Sequence, residues 1–437
     1  MNDYDGDKLR GELTSLGWTE AREEDSEFVI FITCSVRERA EHKALSEIGK
    51  FKRGWNLNRR PHVALLGCMA ERIGSETAKK FPWITVSAGP SRLGLVPEAM
   101  ERALSDGTRF IMDDSASSPK NSTIPPAELS CLPVTANNRH KAYITVADGC
   151  DQFCSYCIVP YVRGRFASRP PEKILNEARE LARGGVIEIT LLGQNVNAYG
   201  RDFSGKRAGY GFAELLSDTA SIAGLRRVRF VTSHPSDFTN DILDVMSSDP
   251  HREIICPSIN LPVQAGSSKV LREMNRGYTR EEYVALVCRM REALPGVGLT
   301  TDLIVGFPGE TEDEFEQSVA LLEEIRFDLV HTAAYSPREG TPAARRTDQT
   351  PKEERARRLA RVNELQTRIS REINSSLVGN IFETLLDEPA KKGAGLLQGR
   401  TASDKVVLVK APIEYAGAFR NVKITGSSPW CLQGELI

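Results

Sequence analysis

Cys150-Asp151-Gln152-Phe153-Cys154-Ser155-Tyr156-Cys157 follows directly on the apolar, β-branched run Tyr143–Ala147, and this placement decides how the rest of the chain is read. Three cysteines spaced C-x3-C-x2-C in one tight loop can ligate three irons of a [4Fe–4S] cube. The fourth iron is then open to a small molecule that binds through an amine and a carboxylate. A zinc site is the other reading of such a cluster, but structural zinc wants four closed ligands. No His or Cys lies close in sequence to supply the fourth, which leaves only a distant one. A ferredoxin would place a fourth Cys before a Pro, whereas here Cys157 is followed by Ile158-Val159-Pro160.

Outward from this loop the sequence repeats a strand-then-helix rhythm between about 138 and 345. Strand-like runs fall near Tyr143–Ala147, Ile187–Leu192, Val228–Thr232, Cys256–Pro262, Leu299–Val305 and Leu329–Tyr335, with starts 28 to 44 residues apart. Helical patterns such as Pro171–Arg183 and Arg280–Leu294 lie between them. That spacing suits βα units, because parallel strands need long, right-handed crossovers. Six units fall short of the eight in a closed barrel, so the expectation is an open, partial (βα)6 barrel. Function in such sheets gathers at the carboxyl ends of the strands.

The flanks differ in texture. Residues 1–118 alternate helical and strand patterns, and the Ser- and Pro-rich stretch around 115–137 reads as a linker. Pro351 opens a long helix expected over 351–372. Between 345 and 372 nine basic residues stand against five acidic ones, a net of +4. The last ~65 residues are strand-like with Gly-rich turns, as in a small β-barrel. The expected division is therefore an N-terminal parallel α/β domain over 1–118, a core over 136–370 and a small β-barrel over 371–437.

The chain has 437 residues and a net charge of −2, which excludes a globally basic nucleic-acid coat but not a local basic face. No apolar run approaches the ~18 residues of a membrane span, and the acidic, polar start is not a secretory signal. Nine cysteines in such a chain suggest metal binding in a reducing compartment rather than disulfides. The chain reads as cytoplasmic.

Two further cysteines share a pattern. Cys34 follows the strand-like Phe28–Ile32, and Cys68 follows Val63–Gly67. Both are expected at the carboxyl edge of one parallel sheet, one βαβ unit apart, where ligation competes with plain core packing. Cys131, Cys256, Cys288 and Cys431 lack that context and read as core or incidental. Among the histidines, only His234, just past a strand end, lies where function would gather. The turn Gly306-Phe307-Pro308-Gly309-Glu310-Thr311 follows a strand, and Thr311 with Glu314 forms a capping box for the next helix. It reads either as a cradle for an adenosine moiety or as a plain strand-to-helix turn. Gln194, Asn195 and Asn197 follow the second strand, and Gln264 and Ser267 the fourth. They are placed to bond a cofactor or a substrate base, or else to shape turns. Lys50, Lys52, Arg53, Arg59 and Arg60, the 345–372 helix, and Lys391, Lys392, Arg400, Lys405, Lys410, Arg420 and Lys423 are local concentrations of positive charge of the kind a phosphate backbone would need, with solvated faces as the alternative.

Taken together these motifs resemble the radical S-adenosylmethionine methylthiotransferase family. The resemblance rests on Cys150–Cys157, Arg163-Gly164-Arg165, Ser168-Arg169-Pro170, Leu192–Asn197, Leu261–Ser267, Arg276–Thr279 and Thr301–Thr311. In the first domain it rests on Thr33–Glu38 and Gly67–Arg72. It covers nearly the whole chain, the final domain resembling a TRAM RNA-binding barrel, and points to the tRNA 2-methylthio-N(6)-isopentenyladenosine synthase branch.

The resemblance implies an enzyme with S-adenosylmethionine and two [4Fe–4S] clusters. Cys150, Cys154 and Cys157 would hold the S-adenosylmethionine-binding cluster. Cys34 and Cys68 would hold an auxiliary cluster that supplies sulfur, and a second S-adenosylmethionine would supply the methyl group. Gln194, Asn195, Gln264, Ser267, Gly306, Pro308 and Gly309 become candidate cofactor contacts, with no catalytic side chain beyond the cluster ligands. The expected target is C2 of N(6)-isopentenyladenosine next to the anticodon, at position 37. Expected partners are the tRNA anticodon loop and an electron donor such as flavodoxin or ferredoxin, with the protein itself a monomer. In the family, a strand and a cluster cysteine precede the segment matching Met1–Asp5. As numbered, the auxiliary cluster therefore lacks its third ligand, and the Phe28–Ile32 and Val63–Leu66 strands are expected to lack a sheet neighbour. Rival readings are a methylthiotransferase acting on threonylcarbamoyl-adenosine in tRNA or on an Asp of a ribosomal protein. From another class comes a non-catalytic Fe–S RNA-binding protein.

Overall fold

The computed structural model describes residues 1–35, 38–52, 61–112, 140–391, 393 and 395–437. The expected linker 115–137, with Cys131, and Arg53, Arg59, Arg60 and Lys392 lie outside the described residues.

The N-terminal region is a parallel sheet of four strands in chain order, Phe28–Thr33, His62–Gly67, Ile84–Ala88 and Phe110–Met112. The helix Asn2–Ser15 covers one face through Leu9 and Leu13, packed with Leu66, Val86 and Met100. Ile48, Leu65, Ala70 and Trp83 fill the other face. The first two strands pair directly with each other, from Phe28↔His62 to Thr33↔Gly67.

Six parallel strands form the core. Lys141–Thr145, Glu188–Leu192 and Arg227–Val231 make one three-stranded sheet, and Ser258–Asn260, Gly298–Val305 and Leu329–Ala334 another. A bridge between Val228 and Ile255 joins the two. Strand order follows chain order throughout, as expected of a partial (βα)6 barrel. The fourth strand is shorter than its apolar run because Pro257 and Pro262, on either side, cannot donate to the ladder. The intervening helices form for local reasons. Pro171–Arg183 starts with proline and buries Ile174, Leu175, Ala178 and Leu181 at helical spacing. Arg280–Ala293 and Glu312–Ile325 are each opened by a capping box, Thr279/Glu282 and Thr311/Glu314.

The long helix runs over Lys352–Ser376. After it, Ile381–Pro389, Leu396–Thr401, Val406–Lys410, Phe419–Ser427 and Leu432–Leu436 close into a five-stranded barrel around Leu386, Leu397, Val407, Val409 and Val422. This barrel docks on the amino ends of the core strands. Arg227 donates to the carbonyls of Arg400 (2.8 Å) and Glu383 (2.9 Å), and Arg229 to those of Thr401 (2.8 Å) and Ala402 (3.0 Å). Lys405 pairs with Asp328 at 2.6 Å. Gly298, at the start of the fifth strand, leaves no room for a side chain, since a Cβ there would lie 2.3 Å from the Ser403 carbonyl oxygen. Gly298→Ala should therefore loosen this docking and destabilise the chain by about 1–3 kcal/mol, read as a lower urea midpoint. An unchanged midpoint would show that the interface yields freely.

Candidate functional site

The cysteine loop begins where the first core strand ends. Ala147–Asp148 pairs antiparallel with Ala167–Ser168, which closes the intervening residues into a loop. Gly149, at φ +71°, lets the two ends approach, since a Cβ would sit 2.1 Å from the Arg165 carbonyl oxygen. Inside, Cys157 N–H donates to the Cys154 carbonyl (3.0 Å) and Cys150 N–H to that of Gly164 (3.3 Å). Phe153 takes φ +47°, uncommon for a bulky residue. Asn275 braces that turn by donating to the carbonyls of Gln152 (3.2 Å) and Phe153 (3.1 Å). Ser155 is tied to Met274 and Ala343 through its backbone. The loop is thus held from the fourth unit and from the segment after the sixth.

Cys154 is buried, and Cys150 and Cys157 are partly so. Burial pushes the Cys150 thiol up to about 11, and pushes Cys157 further up with Cys154 beside it. Such thiols stay protonated at neutral pH until a metal centre takes their protons' place. Among the described residues, no three His, Cys, Asp or Glu side chains converge on a point suited to one metal ion. A cube, in which each thiolate holds a different iron, fits the donor set.

The carboxyl ends of the first three strands carry polar atoms without partners. Thr145 Oγ1, Asn195 Oδ1, both side-chain atoms of Asn197, Ser233 Oγ and His234 Nε2 are buried and make no hydrogen bond. Unpaired buried polar groups are costly, and five residues gathered at one barrel mouth mark a ligand surface. Asp237 organises it, accepting from Asn195 Nδ2 and, at 2.6 Å, from Gln152 Nε2, and pairing with Arg201. Burial, with the Arg276 and Arg201 cations nearby, lowers the His234 pKa to about 2, so its ring stays neutral. Thr232 and Gln264, both at φ +72°, hold left-handed backbone at the same rim. Gln194 touches the Met1 sulfur. Ser267 is buried at the start of the short helix Ser268–Glu273 without a side-chain cap bond.

The Gly306–Thr311 turn packs one side of its backbone against the arginines that follow it. A Cβ on Gly306 would lie 2.3 Å from Arg355 Cγ, and one on Gly309 would lie 2.5 Å from Arg346 and Asp348. These glycines make room for the chain's own arginines, and Glu310 folds back to accept from Gly306 N–H at 2.6 Å. Internal packing thus fills the Cβ side of Gly306 and Gly309, with Pro308 between them. The basic long helix is paired along one face. Arg357, Arg358, Arg361 and Arg368 pair with Glu312, Glu310, Glu316 and Glu323 of the preceding helix or its cap.

Cys34 and Cys68 sit as expected, one residue past the in-register pair Thr33↔Gly67. Cys68 opens the helix Cys68–Lys80 and packs against Ile158, Tyr161 and Val162, the short helix that follows Cys157. Arg163, from that segment, donates to Cys68 Sγ (3.3 Å) and pairs with Asp148 (3.0 Å) and Asp5 (3.2 Å). Burial raises the Cys68 thiol against the pull of Arg163. The second cysteine pair thus abuts the first cysteine loop. Thr145, Ser233 and Asp237 escaped the sequence reading, since lone polar residues near a strand end carry no spacing signal, and Arg276 stood there only within the motif Arg276–Thr279.

Residues 144–322 match the Radical SAM superfamily, and residues 1–89 match the Uncharacterized protein family UPF0004. A tRNA-2-methylthio-N(6)-dimethylallyladenosine synthase of Carboxydothermus hydrogenoformans is 41% identical over 440 residues, covering 100% of this chain and 97% of that protein. One from Acetivibrio thermocellus is 39% identical, over 100% of this chain and 89% of the relative. Among solved structures, the radical S-adenosylmethionine methyltransferase TsrM of Kitasatospora setae superposes with a TM-score of 0.53. It shares 16% identity, over 90% of this chain and 74% of that one, a likeness of fold alone. Among the described residues, no helix is long and apolar enough to cross a membrane.

Proposed function

Since the chain belongs to the tRNA-2-methylthio-N(6)-dimethylallyladenosine synthase family of radical S-adenosylmethionine enzymes, we propose how its own residues divide that reaction. The enzyme forms the 2-methylthio group on N(6)-dimethylallyladenosine in tRNA. C2 of adenine carries an sp2 C–H bond that no side-chain acid or base ionises near neutral pH, so the chemistry is the cofactor's. A [4Fe–4S] cube with S-adenosylmethionine supplies a radical on one-electron reduction, a second cluster supplies sulfur, and a second S-adenosylmethionine supplies the methyl.

In this reading Cys150, Cys154 and Cys157 hold the first cube, and Cys34 and Cys68 contribute to the second. Thr145, Asn195, Asn197, Ser233 and His234 offer neutral donors and acceptors to the cofactor and the base, with Gln194, Gln264 and Ser267 on the same rim. Neutral groups suit an adenine edge, which presents no charge. Asp237, buried and held by Gln152 and Asn195, fixes the rim to the cysteine loop. The observation that carries the reading is the contact of Cys68 with the helix that follows Cys157. It sets the proposed sulfur site against the proposed radical site, where one bound base can meet both.

The RNA surface in this proposal is the C-terminal barrel, where Lys410 and Lys423 are exposed with Trp430. Cationic side chains interleaved with an aromatic suit a phosphate backbone and unstacked bases. That barrel docks opposite the cysteine loop. An RNA held there spans strands of five to eight residues, about 17–26 Å, to present an anticodon-loop base, position 37, at the mouth. A low-potential donor such as flavodoxin or ferredoxin brings the electron, and the enzyme acts as a cytoplasmic monomer.

Anaerobic reconstitution with iron and sulfide, followed by incubation with dithionite, S-adenosylmethionine and tRNA bearing N(6)-dimethylallyladenosine, tests this. Nucleoside analysis should find the 2-methylthio product. Methyl label appearing only in threonylcarbamoyl-adenosine or in a ribosomal protein would overturn the substrate, and absence of 5′-deoxyadenosine would overturn the enzyme.

A further inference from the structure

Six arginines are buried among the described residues: Arg163, Arg227, Arg229, Arg276, Arg338 and Arg358. A buried cation is tolerated only when an anion and hydrogen-bond acceptors replace its water. Five of the six meet that condition with carboxylates. Arg163 has Asp5 and Asp148, Arg227 and Arg229 share Glu188, Arg338 has Glu41, and Arg358 has Glu310. Arg276 is the exception. Among the described residues no Asp or Glu pairs with it. Its Nη2 donates to the Pro262 carbonyl (2.8 Å), its Nε to Tyr278 Oη (3.0 Å) and its Nη1 to Cys154 Sγ (3.3 Å). Tyr278 is itself held by the carbonyls of Pro262 and Val263. Every acceptor around the guanidinium is neutral unless Cys154 is a thiolate.

We infer that Arg276 is the built-in counter-ion of the cluster held by Cys150, Cys154 and Cys157, donating an N–H···S bond to Cys154 and raising the cluster's reduction potential. The inference deepens the proposed function and rests on its assignment of those three cysteines. A cube with three thiolates carries one net negative charge when oxidised and two when reduced. A fixed cation beside one ligating sulfur therefore favours the reduced form more. Hydrogen bonds to cluster sulfur and local charge are the protein's usual means of setting such potentials. One electron enters the cube from a low-potential donor, and Arg276 keeps its proton throughout. The low polarity of the surroundings strengthens the effect. Arg163 makes the analogous contact to Cys68 at 3.3 Å, but with two carboxylates beside it its charge is already matched. It is a weaker lever on its own site.

The test is a redox titration of the full, anaerobically reconstituted chain, followed by the electron paramagnetic resonance signal that changes when S-adenosylmethionine is added. Arg276→Met should lower the equilibrium constant for one-electron reduction at least tenfold, a potential lower by about 59 mV or more. Arg276→Lys should restore most of that shift. Tyr278→Phe, which leaves the cation in place, should change it less than threefold. If Arg276→Met loses its iron while Arg276→Lys keeps it, the counter-ion role is supported by the stronger outcome. An unchanged potential with full iron in Arg276→Met would overturn the inference. So would a Lys variant that behaves like Met, in potential or in iron loss, because packing and not charge would then be responsible. Absence of any S-adenosylmethionine-sensitive signal in the parent chain would instead overturn the cluster assignment itself, and the inference with it.

Discussion

Cys154→Ala abolishes 5′-deoxyadenosine formation, a fall of about a thousandfold or more, as when one member of a unit that works together is removed. Cys154 is the most enclosed of the three loop cysteines and the one on which the local bonding converges. Its carbonyl accepts from Cys157 N–H, and its sulfur accepts from Arg276. Without its thiolate the cube keeps two protein ligands, and Arg276 faces a methyl group instead of an anion. The assay is anaerobic cleavage of S-adenosylmethionine with dithionite, with bound iron measured on the same sample. Cys288→Ala is the control, being exposed and outside this network, and should cleave like the parent. Cleavage by Cys154→Ala near the parental rate would remove this loop from the radical site.

Much of this arrangement was legible in the chain because it is written at short range. Apolar runs separated by amphipathic stretches mark the parallel strands, since strands such as Glu188–Leu192 are buried throughout and helices such as Pro171–Arg183 along one face. The helix Pro171–Arg183 coincides with its pattern because proline starts it and its buried positions repeat every three to four residues. Cys34 and Cys68 could be paired in advance because both follow strands, and the register Thr33↔Gly67 brings the strand ends level. What could not be read depends on which distant groups meet. The arginines of Lys352–Ser376 look like an RNA surface until Glu312, Glu316 and Glu323 are found on the neighbouring helix. The glycines of Gly306–Gly309 mark a turn in the sequence, but not that Arg355 and Arg346 fill the space beside it. Arg276 sits in the motif Arg276–Thr279, quoted from the sequence only for its family resemblance. Its meaning lies in the absence of a carboxylate partner, which only the folded chain reveals.

The second large effect separates the two halves of the reaction. Cys68→Ser should leave 5′-deoxyadenosine formation within about threefold of the parent while methylthiolated tRNA falls about a hundredfold, the scale of losing metal-site function. Serine rather than alanine is the informative choice. Cys68 is 5% exposed among Ile158, Tyr161 and Val162, so a truncated side chain would leave a gap against the cysteine loop and blur the two effects. Serine keeps the volume and still accepts from Arg163, but it is a poor ligand for iron. The loop of Cys150–Cys157 does not depend on Cys68 for its shape, being closed by the Ala147–Asp148 and Ala167–Ser168 ladder and braced by Asn275. Uncoupled cleavage is therefore the expected behaviour. Iron content should drop below the parent's, and the S-adenosylmethionine-sensitive resonance signal should persist. If Cys68→Ser methylthiolates tRNA at the parental rate, sulfur comes from elsewhere and the pair Cys34 and Cys68 is structural. If cleavage falls in step with methylthiolation, Cys68 belongs to the radical site. Arg163, which joins Cys68 to Asp148 beside the cysteine loop, would then be the residue through which it acts.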